Sequence, residues 1–370
     1  MNRWAWAEVS VGAIEHNARV LAGLVAPAQL WAVVKANGYG HGALCAARGA
    51  LAGGASGLCV ALVQEGVELR EGGIDAPVLV LSEQPADALR GAVQHGLEVT
   101  VYSTAAIDAL AAAGAHDHPV HLKIDTGMHR VGVAPGDAVA VADAIAASPA
   151  VRLTGAFTHL AVADEPTDPF TQEQLHRFDA VVGLLADAGH HPRVLHAANS
   201  AGAIAHPAAR YGAVRSGIAV YGLLPGHGVA AQVAALGLRP ALSLYARVSH
   251  VKRVGAGERI SYGLRHTFAR GATVATVPVG YADGVARRSF AAGASVLIGG
   301  RPRPVVGVVT MDQLMVDCGD DAVAVGDPVV LIGRQGEHEL TADHWADLLG
   351  TIGYEIVCGI SSRVERITVP

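Results

Sequence analysis

Short apolar runs alternate with longer amphipathic stretches over the first 235 residues. The runs are rich in valine, leucine and isoleucine, which is typical of buried strands, and the stretches between them repeat apolar residues at helical spacing. A strand is predicted at residues 4–9, a helix at 14–24, and the clearest helical pattern at 171–188. Eight further strands are predicted, at residues 32–34, 57–61, 78–81, 98–101, 120–124, 153–158, 194–196 and 213–215. Eight strand–helix units predict an α/β fold, a (β/α)8 TIM barrel over residues 11–235; an open doubly wound sheet, which usually has fewer strands, is the alternative.

The pattern changes after about residue 235. Valine-rich runs now alternate with glycine, proline and aspartate, a spacing typical of an all-β domain. Strands are predicted at residues 243–254, 272–279, 295–298, 304–309 and 328–332, with one short helix at 341–349. We therefore predict a second, mostly-β domain over residues 236–370.

Composition excludes several classes of protein. The chain has 370 residues, 51% of them hydrophobic and 16% charged, with a net charge of −6. It contains no run of lysine and arginine, so binding to nucleic acid or an anionic membrane has no electrostatic support. No apolar stretch reaches the roughly 20 residues of a membrane span, and the N-terminus has no signal-peptide core, which predicts a cytoplasmic protein.

Neither cysteine nor histidine spacing favours a metal. Cys45, Cys59, Cys318 and Cys358 are scattered and are expected to be reduced thiols. There is no His-Glu-x-x-His motif among the 18 histidines, and no Cys/His cluster. His116, His118 and His121 lie around a predicted strand start, and we expect them in a loop exposed to solvent. No metal is predicted.

The segment 31–42 carries the first candidate chemistry. A predicted strand ends at Lys35, and Gly38, Gly40 and Gly42 then predict a tight turn. At that edge of an α/β fold active sites are built. A lysine held against apolar walls has a lowered pKa, and its neutral amine can form a Schiff base with an aldehyde. A solvated lysine just past a strand is the alternative.

The residues Val-Lys-Ala-Asn-Gly-Tyr-Gly-His-Gly (34–42) resemble the pyridoxal-phosphate lysine segment of alanine racemases, which are fold-type III enzymes. Further segments resemble motifs of that family in the family's order, at residues 123–130, 196–200, 214–222, 260–263, 279–284, 311–313 and 354–364. The resemblance implies a homodimer with shared active sites, and an N-terminal strand within residues 1–10 that joins the C-terminal domain. It also implies interconversion of L-alanine and D-alanine, a source of D-alanine for peptidoglycan.

A racemase needs two acid/base groups on opposite faces of the substrate Cα. Lys35 is one candidate. By resemblance the other is Tyr262 of the partner subunit, although a tyrosine at a strand end is otherwise more often a core residue. A phenol with a pKa of about 10 is a poor base at neutral pH, so a proton relay is expected, with His159 as a contributor.

The resemblance also implies how the cofactor is held. Arg215 is expected to face the pyridine nitrogen and leave it unprotonated, because arginine does not readily give up its proton; a structural arginine paired with an acid is the alternative. His159 is expected beside this assembly. The phosphate is expected to take donors from Ser200, Gly217, Ile218, Tyr39 and Tyr354. A plain helix N-cap is the alternative role for Ser200, and the two roles are compatible.

Three further residues complete the predicted site. Arg130 is expected to contact the cofactor phenolate or the substrate carboxylate, and Met311 of the partner subunit to offer its backbone N–H to that carboxylate. The resemblance marks Lys123 as a candidate for carbamylation. Val308 departs from the family pattern, since many relatives carry an arginine there at the outer entrance to the site.

Alternative functions are weighed on the same residues. A racemase of broader range, including serine, differs by only one hydroxyl in the pocket. A non-catalytic pyridoxal-phosphate-binding protein would share the barrel and the lysine but is typically a single domain. A fold-type III decarboxylase is disfavoured, because by resemblance it would carry a glutamate in place of Arg215 and a cysteine in place of Tyr262.

Overall fold

The computed structural model describes residues 4–370 and divides into two compact units. One unit is Gly12–Arg239, and the other combines the first strand of the chain with Pro240–Pro370. Of the segment 1–10 that was predicted to join the C-terminal domain, residues 1–3 lie outside the described part of the chain. Its remainder forms strand β1 (Ala5–Ser10), which leads directly into helix α1 (Val11–Val25).

Eight parallel strands close the first unit into a barrel. They are β2 (Gln29–Val33), β3 (Gly57–Val60), β4 (Val78–Val80), β5 (Glu98–Val101), β6 (His118–Lys123), β7 (Val151–Phe157), β8 (Val194–His196) and β9 (Ala213–Ser216). Closure is direct, because Trp31 on β2 is in register with Gly57 on β3 and with Arg215 on β9. The predicted TIM barrel is confirmed, and the open doubly wound sheet is excluded.

Helices follow the barrel strands. They are α2 (Lys35–Tyr39), α3 (Ala43–Ala52), α4 (Val63–Glu71), α5 (Ala86–Gln94), α6 (Thr104–Ala112), α7 (Ala138–Ala147), α8 (Phe170–Asp187), α9 (Ser200–Ala205) and α10 (Ala230–Leu236). In α8 the apolar residues recur every three or four positions and are buried, namely Leu175, Phe178, Val181 and Leu185. This stripe is the pattern that made α8 the clearest helix in the sequence.

The second unit is mostly β. Its further strands are β10 (Leu242–Arg247), β11 (His250–Val254), β12 (Arg259–Ile260), β13 (His266–Thr267), β14 (Ala272–Val277), β15 (Ser295–Ile298), β16 (Arg301–Pro304), β17 (Leu314–Asp317), β18 (Pro328–Gln335), β19 (His338–Leu340) and β20 (Glu365–Val369). Two helices complete it, α11 (Ala342–Leu349) and α12 (Gly353–Gly359).

Strand β1 lies inside the largest sheet of this unit. The sheet order is β16-β15-β18-β10-β1-β20, with β19 paired to β18. Strand β1 pairs antiparallel with β10 and parallel with β20, so that Trp6 lies opposite Tyr245 on one side and Glu365 on the other. Smaller sheets are β11-β14-β17 and β12-β13.

Two strand predictions in this unit are wrong. Residues 243–254 were predicted as one strand, but they form β10 and β11, which belong to different sheets. Residues 304–309 were predicted as a strand, but β16 ends at Pro304 and only isolated contacts continue, a bridge between Val305 and Val316 and a bond from Val306 N–H to Met315 O of 2.8 Å. Gly307 follows with a φ of +71°, which extended backbone does not adopt. The apolar run is buried, but it is irregular because the chain turns at Gly307.

Candidate active site

The Lys35 segment leaves the barrel in an unusual conformation. Strand β2 ends at Val33, and the backbone has positive φ at Ala36 (52°), Asn37 (52°) and Tyr39 (51°) as well as at Gly38. Positive φ is uncommon outside glycine and is held only where the surroundings impose it. The segment labelled α2 is therefore a left-handed turn rather than a regular α-helix, and we call it the Lys35 loop. The sequence predicted a tight turn from its glycines, but the left-handed stretch begins two residues earlier.

Two side chains hold this stretch in place. Ala36 N–H donates to Glu65 Oε1 at 2.6 Å, and Ala43 N–H donates to Asn37 Oδ1 at 2.8 Å. Because both bonds tie the loop to the starts of the following helices, Lys35 is presented by a fixed loop at the end of β2. Neither Glu65 nor Asn37 was predicted to have a role.

Arg215 is the central cation of the barrel interior. It lies on β9 and is 3% exposed. It donates from NH1 to His196 Nδ1 at 2.7 Å, and from NH2 to the carbonyls of Thr158 at 2.7 Å and Ala197 at 3.0 Å. These bonds use three of the five guanidinium N–H donors, so two remain for a ligand. Burial lowers the pKa of Arg215 to about 10, which leaves it a cation at neutral pH.

Lys123 lies near Arg215 on β6. Its Nζ is 5.3 Å from the centre of the Phe157 ring, and the Arg215 guanidinium is 4.9 Å from the same ring. Burial, with the nearby charges of Arg215 and Arg130, lowers the pKa of Lys123 to about 8. A substantial fraction of its amine is therefore neutral near physiological pH. Arg130 itself is exposed, on the loop after β6.

His159 follows β7 and is half-buried. Desolvation, together with the positive charges of Arg215, Arg130, Lys123 and Lys35, holds its pKa well below the ordinary value. The imidazole is therefore neutral. It can relay a proton only by accepting one at its unprotonated nitrogen while it gives up the proton on its other nitrogen.

Backbone donors converge beside Ser200. The Oγ of Ser200 accepts from Gly217 N–H at 2.9 Å and from Ala219 N–H at 3.3 Å, and it lies 3.2 Å from Ser216 Oγ. The alternative N-cap role of Ser200 is wrong, because the cap of α9 is Asn199, whose side chain accepts from Gly202 N–H at 2.9 Å. Ser200 is instead the first residue of the helix and points toward the loop after β9.

The same loop needs glycine at position 217. A Cβ built on Gly217 would lie 2.5 Å from the Tyr39 hydroxyl oxygen, and Tyr39 is buried. Ser200, Gly217, Tyr39 and Ile218, which is fully buried, are thus brought together as predicted neighbours. Hydroxyls and backbone N–H groups gathered at one place are suited to bind a phosphate.

The second unit carries the other predicted site residues. Tyr262 is 69% exposed and Met311 is 52% exposed, and both side chains are therefore available at its surface. Tyr354 is half-buried near the start of α12. Val308 is buried rather than exposed at an entrance, and its carbonyl accepts from Ser261 Oγ at 2.6 Å.

Ser261, immediately before Tyr262, has φ +64° and ψ −176°. This region of backbone space is essentially restricted to glycine. A Cβ added at Gly307 would lie 2.7 Å from the Ser261 Cβ, so Gly307 leaves the room that Ser261 needs. Sequence reasoning missed Ser261, since serine carries no signal of positive φ.

Two histidine predictions are wrong. His118 and His121 were expected in a solvent-exposed loop, but both lie on β6 and are buried; only His116 is exposed. The signal was present, because His121 and Lys123 are two apart on a strand and share a face. His196, on β8, was noted only as part of a motif, and it contacts both Arg215 and His121.

Within residues 4–370 no group of three or more histidine, cysteine, aspartate or glutamate side chains is arranged to hold a metal. In the same part of the chain, none of the helices has the length and apolar character to cross a bilayer. Cys59, which is buried beside Arg215, has a pKa raised to about 12 by burial. Cys59 is therefore a neutral thiol and not a nucleophile.

Comparison with known families covers nearly the whole chain. The family model described as "Alanine racemase, N-terminal domain" matches residues 9–225, and "Alanine racemase, C-terminal domain" matches residues 241–368. An alanine racemase of Symbiobacterium thermophilum is 50% identical over 368 residues, which is 98% of this chain and 97% of that protein. One of Thermobifida fusca is 44% identical, over 99% of this chain and 98% of the relative.

Solved structures agree in fold. The alanine racemase of a D-cycloserine-producing Streptomyces lavendulae superimposes with a TM-score of 0.93 at 37% identity, covering 100% of this chain and 98% of the other. The alanine racemase of Bacillus anthracis with bound L-Ala-P also gives 0.93, at 36% identity, covering 100% and 96%.

Proposed function

Since the chain belongs to the alanine racemase family and is an isomerase of that kind, we propose that it interconverts L-alanine and D-alanine by a two-base mechanism. Lys35 and Tyr262 of a second copy of the chain would act on opposite faces of Cα. The observation that most supports the proposal is Arg215, a buried cation held by neutral acceptors beside the Lys35 loop.

The family is pyridoxal-phosphate-dependent, and the residues of the barrel fit that cofactor. Lys35 would hold it through Nζ, Arg215 would donate to its ring nitrogen, and Ser200, Gly217 and Tyr39 would bind its phosphate. Ile218 and Tyr354 would add a backbone and a hydroxyl donor. When bound, the cofactor supplies the electron sink that makes the Cα proton of an amino acid acidic enough to remove.

The two bases do the proton transfer. The Nζ of Lys35 takes or returns the proton on one face of Cα, and the Tyr262 hydroxyl does so on the other. His159 is neutral because of burial and surrounding cations, so it can pass a proton toward Tyr262 without holding a charge. Arg130 and the Met311 N–H of the second copy would hold the substrate carboxylate, which fixes Cα between the bases.

Lys123 is suited to carbamylation. Its lowered pKa of about 8 supplies the neutral amine that attacks CO2, with loss of one proton, to give an N-carboxylate. The positive charges of Arg215, Arg130 and Lys35, which disfavour a cation at this position, would stabilise that anion. The carbamate would then hold Arg130 in place. A ¹³C signal from labelled bicarbonate, present in the native enzyme and absent in Lys123→Met, is the expected result.

The function is tested by racemisation of L-alanine in deuterated solvent. We expect deuterium at Cα of the product, and a loss of at least about 100-fold in kcat for Tyr262→Phe, since general base catalysis contributes that much. Tyr245→Phe is the matched control, because Tyr245 lies in the same unit and stacks on Trp6 without a proposed role. If L-serine is turned over faster than L-alanine, the proposed substrate is wrong. If the protein binds the cofactor but turns over neither amino acid, the proposed catalysis is refuted.

The shared site is tested by mixing two inactive variants. If Lys35 and Tyr262 come from different copies, a Lys35→Ala/Tyr262→Phe heterodimer has one fully native site. Equal mixing should then restore about a quarter of the native sites, because about half of the dimers are heterodimers. If both residues came from one copy, the mixture would stay inactive.

A further inference from the structure

A row of hydrogen-bonded side chains extends from Arg215 across the barrel interior. Arg215 NH1 is 2.7 Å from His196 Nδ1, His196 Nε2 is 2.8 Å from His121 Nδ1, and His121 Nε2 is 2.8 Å from Glu98 Oε2. Both imidazoles are buried, and the Glu98 side chain at the far end is 18% exposed. The proposed mechanism uses only Arg215, so the other three residues require an explanation.

The hydrogens of this row have one consistent arrangement. Arginine can only donate, so His196 Nδ1 must accept and its proton must be on Nε2. His196 Nε2–H then donates to His121 Nδ1, and His121 Nε2–H donates to the Glu98 carboxylate. A second proton on either ring would set two N–H groups against each other. Burial and the charge of Arg215 keep the pKa of His196 well below its ordinary value, which agrees with a neutral ring.

Local packing leaves room for this row and fixes its ring planes. A Cβ at Gly155 would lie 2.3 Å from His121 Nδ1, and the pairing of β6 with β7 shifts register at His121. The Trp31 ring is 5.6 Å from His121 and 5.7 Å from His196, centre to centre. Phe157 stacks on His196 at 4.6 Å with an angle of 9° between the planes. Because both rings are held in place by their neighbours, the geometry of the hydrogen-bonded row is fixed by the fold.

We propose that Glu98 and His121 are positioning residues that fix the tautomer of His196 and thereby keep Arg215 aimed at the cofactor ring. The inference rests on the proposed function for its catalytic consequence. The Glu98 carboxylate accepts a hydrogen bond from His121 Nε2–H, so His121 Nδ1 carries no proton and accepts in turn from His196 Nε2–H. If the Glu98 acceptor is lost, His121 can carry its proton on Nδ1 and donate to His196 Nε2. His196 then carries its own proton on Nδ1, where it opposes the Arg215 N–H and displaces the guanidinium.

The direct test is ¹⁵N NMR of histidine-labelled holoenzyme, which distinguishes a protonated ring nitrogen from an unprotonated one. The His121 and His196 signals are assigned from His121→Gln and His196→Gln. We expect both rings to carry the proton on Nε2 only. A proton on Nδ1 of His196 in the native enzyme would overturn the inference, whether or not the protein racemises alanine.

Two substitutions of Glu98 then test its role. Glu98→Gln keeps an acceptor oxygen and should keep the tautomer, with kcat within about threefold of native. Glu98→Leu removes the acceptor, so a second His196 tautomer should appear and kcat should fall about 10-fold, as expected for a lost hydrogen bond to a charged group. The KM for alanine should change much less, because Glu98 does not touch the substrate.

Asp143→Leu is the matched control, since Asp143 Oδ1 lies 2.7 Å from His190 Nε2 at the barrel surface, a similar pair unconnected to Arg215. It should change neither the His196 signal nor kcat. If Glu98→Leu leaves the His196 ring signals unchanged, the positioning role is refuted while racemisation stands. If Glu98→Leu does not fold, the tautomer of the native enzyme and the Glu98→Gln variant still decide.

Discussion

The strained backbone at Ser261 permits a quantitative prediction, because only one of two substitutions at this position relieves the strain. Ser261→Ala removes the hydrogen bond to Val308 O but keeps a Cβ at φ +64°, whereas Ser261→Gly removes both. The lost bond costs about 0.5–1.5 kcal/mol. The strain that glycine relieves is about 1–3 kcal/mol, and its own extra backbone entropy costs about 0.5–1 kcal/mol.

The glycine variant should therefore be more stable than the alanine variant by about 1 kcal/mol, although glycine is ordinarily the less stable choice. Denaturant unfolding of the holoenzyme measures this difference, which corresponds to about 2–4 °C in Tm for a domain of this size. Activity should show the reverse order. Ser261→Gly frees the backbone next to Tyr262, and kcat should fall about tenfold because the hydroxyl is less well placed.

Ser249 provides the control. Its Oγ donates to Thr276 O at 3.1 Å in the same unit, and its φ is not positive. At Ser249 the ordinary order is expected, with the alanine variant more stable than the glycine variant. If Ser261→Gly is less stable than Ser261→Ala, as at Ser249, the strain argument for Ser261 is wrong.

Three further predictions follow from the barrel unit. Gly217→Ala should weaken retention of pyridoxal phosphate, measured by cofactor absorbance after dialysis, because the new methyl group displaces the Tyr39 hydroxyl; unchanged retention would contradict this phosphate site. Gly155→Ala should shift the His121 ring signals and lower kcat, since its Cβ overlaps Nδ1; a native spectrum would contradict that packing. In CO2-free buffer the free energy of unfolding should rise from pH 8 to pH 10, because the unfolded chain binds a proton on Lys123 that the folded chain has released. Lys123→Met should abolish that part of the rise, and an unchanged slope would contradict it.

The barrel could be predicted because most of its strands contain a short, largely buried run of apolar residues. Residues 98–101 and 194–196 were predicted with the bounds that β5 and β8 have. The β-rich unit was less predictable, since residues 304–309 are as apolar as a strand but turn at Gly307. An apolar run predicts that a segment is buried, but not that its backbone is extended.

Site residues could be predicted where their role follows from the type of side chain they carry. Ser200, Gly217 and Tyr39 were predicted as neighbours, and the structure brings them together. His121 was wrongly expected in solvent although its spacing from Lys123 places both on one face of the strand; only its partner, His196, 75 residues away, could not be inferred from the local sequence. The strain at Ser261 could not be predicted either, since it arises from Gly307 and Val308, which lie far away in the sequence.

The position of β1 has a consequence for synthesis of the chain. Residues 5–10 are made before the barrel, yet they pair with β10, about 235 residues later, and with β20, where Trp6 lies opposite Glu365. On a ribosome the strand must remain unpaired until β10 has emerged, and its other edge must wait for β20; such late, non-local pairing slows folding. The β-rich sheet can therefore be completed only after translation of residues 365–369, which makes an early strand depend on residues synthesised much later.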